Sequence, residues 1–167
     1  MDKELIKEMR KAIRMNDLNT VKSLIENNKG LIDEVTVFGT FLHETAKKDN
    51  LEMAQYFINQ GIDVNKRAGT RDSGPLTDAA FKGNLDMVKL LYNNGAILDT
   101  STFARNPLFA AIYDNNVSVA KFLIDEGIDI RVSYPVGSIE NCDAYEYARQ
   151  YGRTEIAEYL KEKMNEK

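Results

Sequence analysis

The chain has 167 residues, 43% hydrophobic and 29% charged, and its 22 Lys and Arg against 26 Asp and Glu give a net charge of −4. That apolar share supports one continuous core and excludes the disordered regime, and the mild acidic balance argues against a protein that coats nucleic acid. One Cys and one His exclude an internal disulfide framework, cysteine metal clusters and every multi-His metal site.

In chain order, Met1 to Glu8 mixes charge with apolar residues and holds no apolar run of signal length. No later stretch approaches the ~18 apolar residues of a membrane span, so a reducing, cytoplasmic setting is expected. From Ala12 onward the sequence repeats itself at a period of about 33 residues. Ala12-Ile13, Leu18 to Val21 and Leu24-Ile25 form a degenerate first copy. Leu42 to Ala46, Asn50 to Ala54, Phe57-Ile58 and Gly61 form the second, and Leu76 to Gly95 is the clearest. Leu108 to Ala111, Asn116 to Ala120, Leu123-Ile124 and Gly127 make the fourth, and Tyr145 to Leu160 the fifth. The units run approximately 1–33, 34–67, 68–100, 101–131 and 132–167, within a single domain 1–167.

Each copy predicts two short helices. The first carries a small residue at a crowded contact (Ala12, Thr45, Ala79, Ala111, Ala148), and the second an apolar stripe such as Leu85, Val88 and Leu91. Asn16, Asn50, Gly83, Asn116 and Gly152 suit the turn between them, where a positive φ costs these residues little. Gly61, Gly95 and Gly127 suit the position just past the second helix. The alternating segments that follow predict short hairpin-like fingers. A unit of this size cannot bury its apolar face alone, so neighbouring units must stack into an all-α repeat solenoid.

Gly74-Pro75-Leu76-Thr77-Asp78-Ala79-Ala80, Thr40-Phe41-Leu42-His43 and Asn106-Pro107-Leu108-Phe109-Ala110-Ala111 resemble the Thr-Pro-Leu-His-x-Ala-Ala signature of ankyrin repeats. Gly61-Ile62-Asp63-Val64-Asn65 resembles the Gly-Ala-Asp-Val-Asn ending of that family. The resemblance covers roughly Ala12 to Leu160. Tyr145 to Leu160 looks like a C-terminal cap, with Lys161 where inner units carry Ile58, Tyr92 or Ile124. The linker 131–143 departs most from the pattern.

Candidate chemistries fail on geometry. The resemblance makes His43 a helix-start residue that ties turn to helix; Thr77 can do this in reduced form, and Phe109 and Glu146 cannot. Cys142 has no base within reach, since the only His lies about three units away, and it is expected to be a small helix-start residue. The carboxylates Asp125-Glu126 and Glu140 with Asp143 fall on helix ends and linkers. Gly69 to Gly74 lacks the ending of a phosphate loop. No enzyme, metal or cofactor is expected.

The resemblance implies a concave face built from first-helix ends and finger tips. The residues expected there include Arg14, Lys47, Lys48, Phe81, Lys82, Tyr113, Asp114 and Tyr151 from the helices, and Phe38, Arg67, Arg71, Phe103, Arg105 and Tyr134 from the fingers. Seven are basic, six aromatic and one acidic. That sorting predicts a non-enzymatic module, monomeric on its own, that binds an acidic surface of a protein partner. The chain also looks similar to small bacterial ankyrin proteins encoded beside secreted toxins, which implies a toxin-neutralising immunity role. The alternatives are an adaptor joining two proteins and, less favoured, a single-stranded nucleic-acid binder.

Overall fold

The computed structural model describes residues 2–166. Ten α-helices follow in pairs among them: α1 Lys3–Arg14 and α2 Leu18–Asn27, α3 Phe41–Lys47 and α4 Leu51–Asn59, α5 Pro75–Lys82 and α6 Leu85–Asn93, α7 Pro107–Tyr113 and α8 Val117–Asp125, α9 Ala144–Gln150 and α10 Thr154–Asn165. The expected helical repeat solenoid is the observed architecture. First helices stack in one layer and second helices in another, around a continuous core from Met9 to Leu160. Thr45, Ala79, Ala111 and Ala148 are fully buried, and Ala12 nearly so, which lets the first helices approach more closely than the second. A repeat array packed more closely on one side curves toward that side.

The fingers are less strand-like than expected. Thr36 pairs with Gly39 and Ala68 with Ser73 as single bridges. The long linker instead folds as a two-stranded antiparallel hairpin, β1 Tyr134–Val136 and β2 Ile139–Cys142. Cys142 therefore ends a strand rather than starting a helix, and Asp143 is the cap of α9. Its thiol is buried, and burial, followed by the charges of Glu146 and Asp143, holds its pKa above the ordinary value. The protonated thiol is a poor redox or nucleophilic group.

The turn between paired helices also departs from expectation in two units. Asn16, Gly83 and Gly152 adopt positive φ as predicted, but Asp49 and Asn115 carry it where Asn50 and Asn116 were expected to. Asn50 and Asn116 sit one residue later, as N-caps with φ of −91° and −82°. From there a side chain can reach the preceding unit. Asn50 Nδ2 donates to Asn16 Oδ1, and Asn84 Nδ2 to the Ala46 carbonyl at 2.9 Å. Asn116 Nδ2 donates to the carbonyls of Ala80 and Phe81, each at 2.9 Å. Arg153 takes over at the last junction, donating to the carbonyls of Ile112 and Tyr113 at 3.2 and 2.6 Å. The carbonyls of Ala46, Phe81 and Tyr113 lie in the last turn of a first helix, beyond the reach of a later helical N–H, while those of Ala80 and Ile112 also accept from the turn N–H groups of Gly83 and Asn115 at 3.2 and 3.1 Å.

A second set of ties links first helices to fingers. The His43 ring is buried; its Nε2–H donates to the Ser73 carbonyl at 2.9 Å, and its Nδ1 accepts from the Thr40 N–H at 3.1 Å. Thr77 Oγ1 donates to the Arg105 carbonyl at 2.7 Å. Phe109 has nothing to donate at the equivalent position, and there the tie comes from the opposite side. Tyr134 OH donates to the Thr100 carbonyl at 2.6 Å and accepts from Asn106 Nδ2 at 3.1 Å.

Two predictions follow from these ties. Replacing Asn116 with Ala should lower stability to urea by about 1 kcal/mol, because the Phe81 carbonyl loses its donor while the Ala80 carbonyl keeps the Gly83 N–H at 3.2 Å. A Cβ on Gly83, at φ +73°, would meet Asn116 Oδ1 at 2.5 Å. Gly83→Ala should therefore cost less in the Asn116→Ala background than alone, and strict additivity would show that the two positions are uncoupled.

Burial pushes the His43 imidazole below its ordinary pKa of 6.5, outweighing the Ser73 bond and the Asp78 charge that act the other way. Between that depressed value and 6.5 the unfolded chain binds a proton that the folded chain refuses. The stability contributed by neutral His43 is complete above about pH 6.5 and falls as the pH drops below it. Urea unfolding at about pH 7.5 and about pH 5 should show this loss, and the His43→Gln chain should lose less.

Candidate functional site

The open edge of the first-helix layer divides into two halves of different chemistry. Its N-terminal half is cationic. Arg10 pairs with Glu44 and lies 4.0 Å over the ring of Phe38, which is exposed. Lys47 and Arg71 both reach Asp78, at 3.0 and 2.9 Å, and that carboxylate keeps only 5% of its side-chain surface. One buried anion between two cations leaves a local excess of one positive charge, with the carboxylate held by its partners rather than by water. Arg14, Lys48 and Lys82 are exposed and make no ion pair among the described residues. Lys82 Nζ lies 5.7 Å from the ring centroid of Phe81.

The C-terminal half is aromatic. Phe81 stacks on Tyr113 with centroids 5.9 Å apart, and Tyr113 leans on Tyr151 at 5.6 Å. Phe103 descends from its finger and meets Phe109 and Tyr147 edge-on at 5.4 and 5.5 Å. Phe81, Phe103, Phe109, Tyr113 and Tyr147, with Ala110, line an open cavity of about 300 Å³ that also meets Arg71 and Thr77. Tyr113 is 47% exposed and Tyr151 42%, an unusual amount of ring left in water.

The structure thus brings Arg14, Lys47, Lys48, Arg71, Phe81, Lys82, Phe103, Tyr113 and Tyr151 toward one side, with Phe38 at its N-terminal rim. Asp114 is exposed beside Tyr113 as the C-cap of α7. Tyr134 does not belong on the open face: it is buried, packed on Phe103 and Phe109, with its hydroxyl spent on Thr100 and Asn106. Arg105 is drawn back onto Asp72, pairing with its carboxylate and donating to its carbonyl at 3.0 Å. Arg67 borders a separate groove with Val64, Ile97 and Asp99.

The expectation of a single acidic residue on this face is corrected. Glu44, Asp72 and Asp78 neutralise part of its charge, and Arg10 joins it. The available signal was register. Arg10, Glu44 and Asp78 are spaced by 34 residues, one unit apart, so adjacent layers place them side by side. Among the described residues, no group of three or more His, Cys, Asp or Glu converges as a metal site, and no helix is long and apolar enough to cross a membrane.

The unit register found in the helices and junctions is matched by known proteins. The model for ankyrin repeats (3 copies) matches residues 9–102 and again 76–167. An ankyrin repeat protein of Acanthamoeba polyphaga mimivirus is 33% identical over 91 residues, covering 52% of this chain and 18% of that protein. One from fowlpox virus is 29% identical over 121 residues, 72% of this chain and 17% of its own length. A third, from Rickettsia felis, is 28% identical over 121 residues, 71% of this chain and 54% of its own. The chain thus spans between 17% and 54% of these relatives. With the helix pairs, the buried His43 tie and the family model in agreement along nearly its whole length, the chain belongs to the ankyrin repeat family.

Proposed function

We propose that this chain is a non-enzymatic module whose concave face binds a protein partner presenting an acidic patch. Ankyrin repeats generally mediate protein–protein interaction, and this face carries the chemistry for it. The observation that supports the reading best is the row of cations Arg14, Lys48 and Lys82, none of them in an ion pair among the described residues, which ends with Lys82 5.7 Å from half-buried Phe81 and so leads into the rings Phe81, Tyr113 and Tyr151. Aromatic rings give contact area at small entropic cost, and uncommitted cations give orientation and speed of encounter. Single-stranded nucleic acid is less favoured, because Glu44, Asp72 and Asp78 offset the positive charge a phosphate backbone requires. Nothing on the face distinguishes a toxin from another acidic protein, so the partner is proposed at the level of its surface chemistry.

The test compares proteins captured from the source cells by the wild-type chain, by the triple variant Arg14→Glu, Lys48→Glu, Lys82→Glu, and by Asp86→Lys on the outer helix α6. The true partner should bind the triple variant at least about tenfold more weakly, bind Asp86→Lys normally, and dissociate as salt rises. A partner indifferent to the triple variant places binding elsewhere. Two partners of which only one is sensitive would favour the adaptor reading.

A further inference from the structure

Resting on the concave-face reading, we infer the form of the partner's contact: an extended peptide segment that seats one large apolar side chain in the aromatic cavity and lays acidic residues along the cationic half. The cavity measures about 300 Å³, at the bottom of the range for small-molecule sites. Two of its polar neighbours are already committed. The Thr77 hydroxyl donates to the Arg105 carbonyl, and the Arg71 guanidinium is held by Asp78 while it covers Phe81 at 4.8 Å. A polar metabolite entering this space would find few groups to replace its water, whereas an aliphatic or aromatic side chain exchanges water for ring faces.

The cations give the occupant its second feature and its spacing. Lys82 stands at the end of α5, Lys48 at the end of α3 and Arg14 at the end of α1, all on the N-terminal side of the cavity. On the C-terminal side the face continues as Tyr151, Asp114 takes the helix-end place that Lys82 holds one unit earlier, and Arg153 is spent on the carbonyls of Ile112 and Tyr113. Packed helices lie roughly 8–10 Å apart, and an extended chain advances roughly 3.3 Å per residue. One helix spacing is thus about three residues, so an anchor midway between α5 and α7 sets acidic residues about one, about four and about seven positions to one side of it, opposite Lys82, Lys48 and Arg14. An extended segment crossing the helix ends can meet cavity and cations together, and its charge must be lopsided to match them.

A phage-displayed library of random peptides about 16 residues long, selected on the intact chain, tests this directly. The expected result is enrichment of peptides with one Leu, Phe, Met or Trp and acidic residues confined to one side, about one, four and seven positions away. Synthetic copies should lose at least about tenfold in affinity toward Ala110→Phe, which fills the cavity from α7, and toward Tyr113→Ser, which removes an exposed wall. Circular dichroism melts establish that each variant is folded, and two variants of opposite size guard against loss of structure in either. Exchanging the acidic residues for Gln should weaken binding and flatten its salt dependence. Enriched peptides without the lopsided charge, peptides indifferent to both variants, or no enrichment at all would each overturn the inference. In those cases a folded partner that still senses the Arg14, Lys48 and Lys82 triple variant would leave the concave-face reading standing, and its absence would remove both.

Discussion

The structure depends on a single kind of polar tie: the residue just before each second helix from α4 onward reaches back to the unit before it. A helix of seven or eight residues has about half of its carbonyls in the last four positions, where nothing within the helix can satisfy them. In a stack of such helices these groups would face the next layer, where burial without a partner is expensive. Asn84, Asn116 and Arg153 answer that need from the following unit, and at the first junction Asn50 reaches the Asn16 side chain in the preceding turn instead. The tie also fixes layer spacing and rotation, which in turn decides which first-helix residues look into the concave side. Without it the cations and rings would still be present in the chain, but they would not share a face.

A similar exchange between layers governs the charge of that face. Asp78 lies between Lys47 of the preceding layer and Arg71 of its own finger, and Glu44 receives Arg10 from the layer before. These pairs hold fingers against helices and remove their members from the set able to greet a partner. The cations that remain, Arg14, Lys48 and Lys82, lie at or just past the ends of first helices, where a positive charge also complements the helix dipole.

Much of this was legible in the amino-acid sequence. The small residues of the first helices, the apolar stripe of the second and the glycines after them are local signals, and they led to the right architecture. The junction ties were not legible, because Asn between two helices signals a turn, and only the layer spacing shows that Asn116 is a cap whose amide points backwards. Tyr134 was misplaced for a related reason. A tyrosine in a polar linker suggests a surface ring, yet Phe109 leaves its unit without a polar link to the next finger, and the linker folds inward to supply one. The compensated charges needed the same knowledge, since Arg10 and Glu44 become neighbours only when units are set in register. What the sequence hides here is the relation between layers, while the content of each layer is plain.

The uneven distribution of rings along the stack means that its two ends are tied by different forces. Beyond the shared apolar core, Phe103, Phe109, Tyr134, Tyr147 and Tyr151 interlock across the junction of the fourth and fifth helix pairs, whereas the first junction adds Asn16 with Asn50 and Arg10 with Glu44. Ring contact is indifferent to ionic strength and an ion pair is not, so salt acts on the cationic end of the array and leaves the aromatic end as it is.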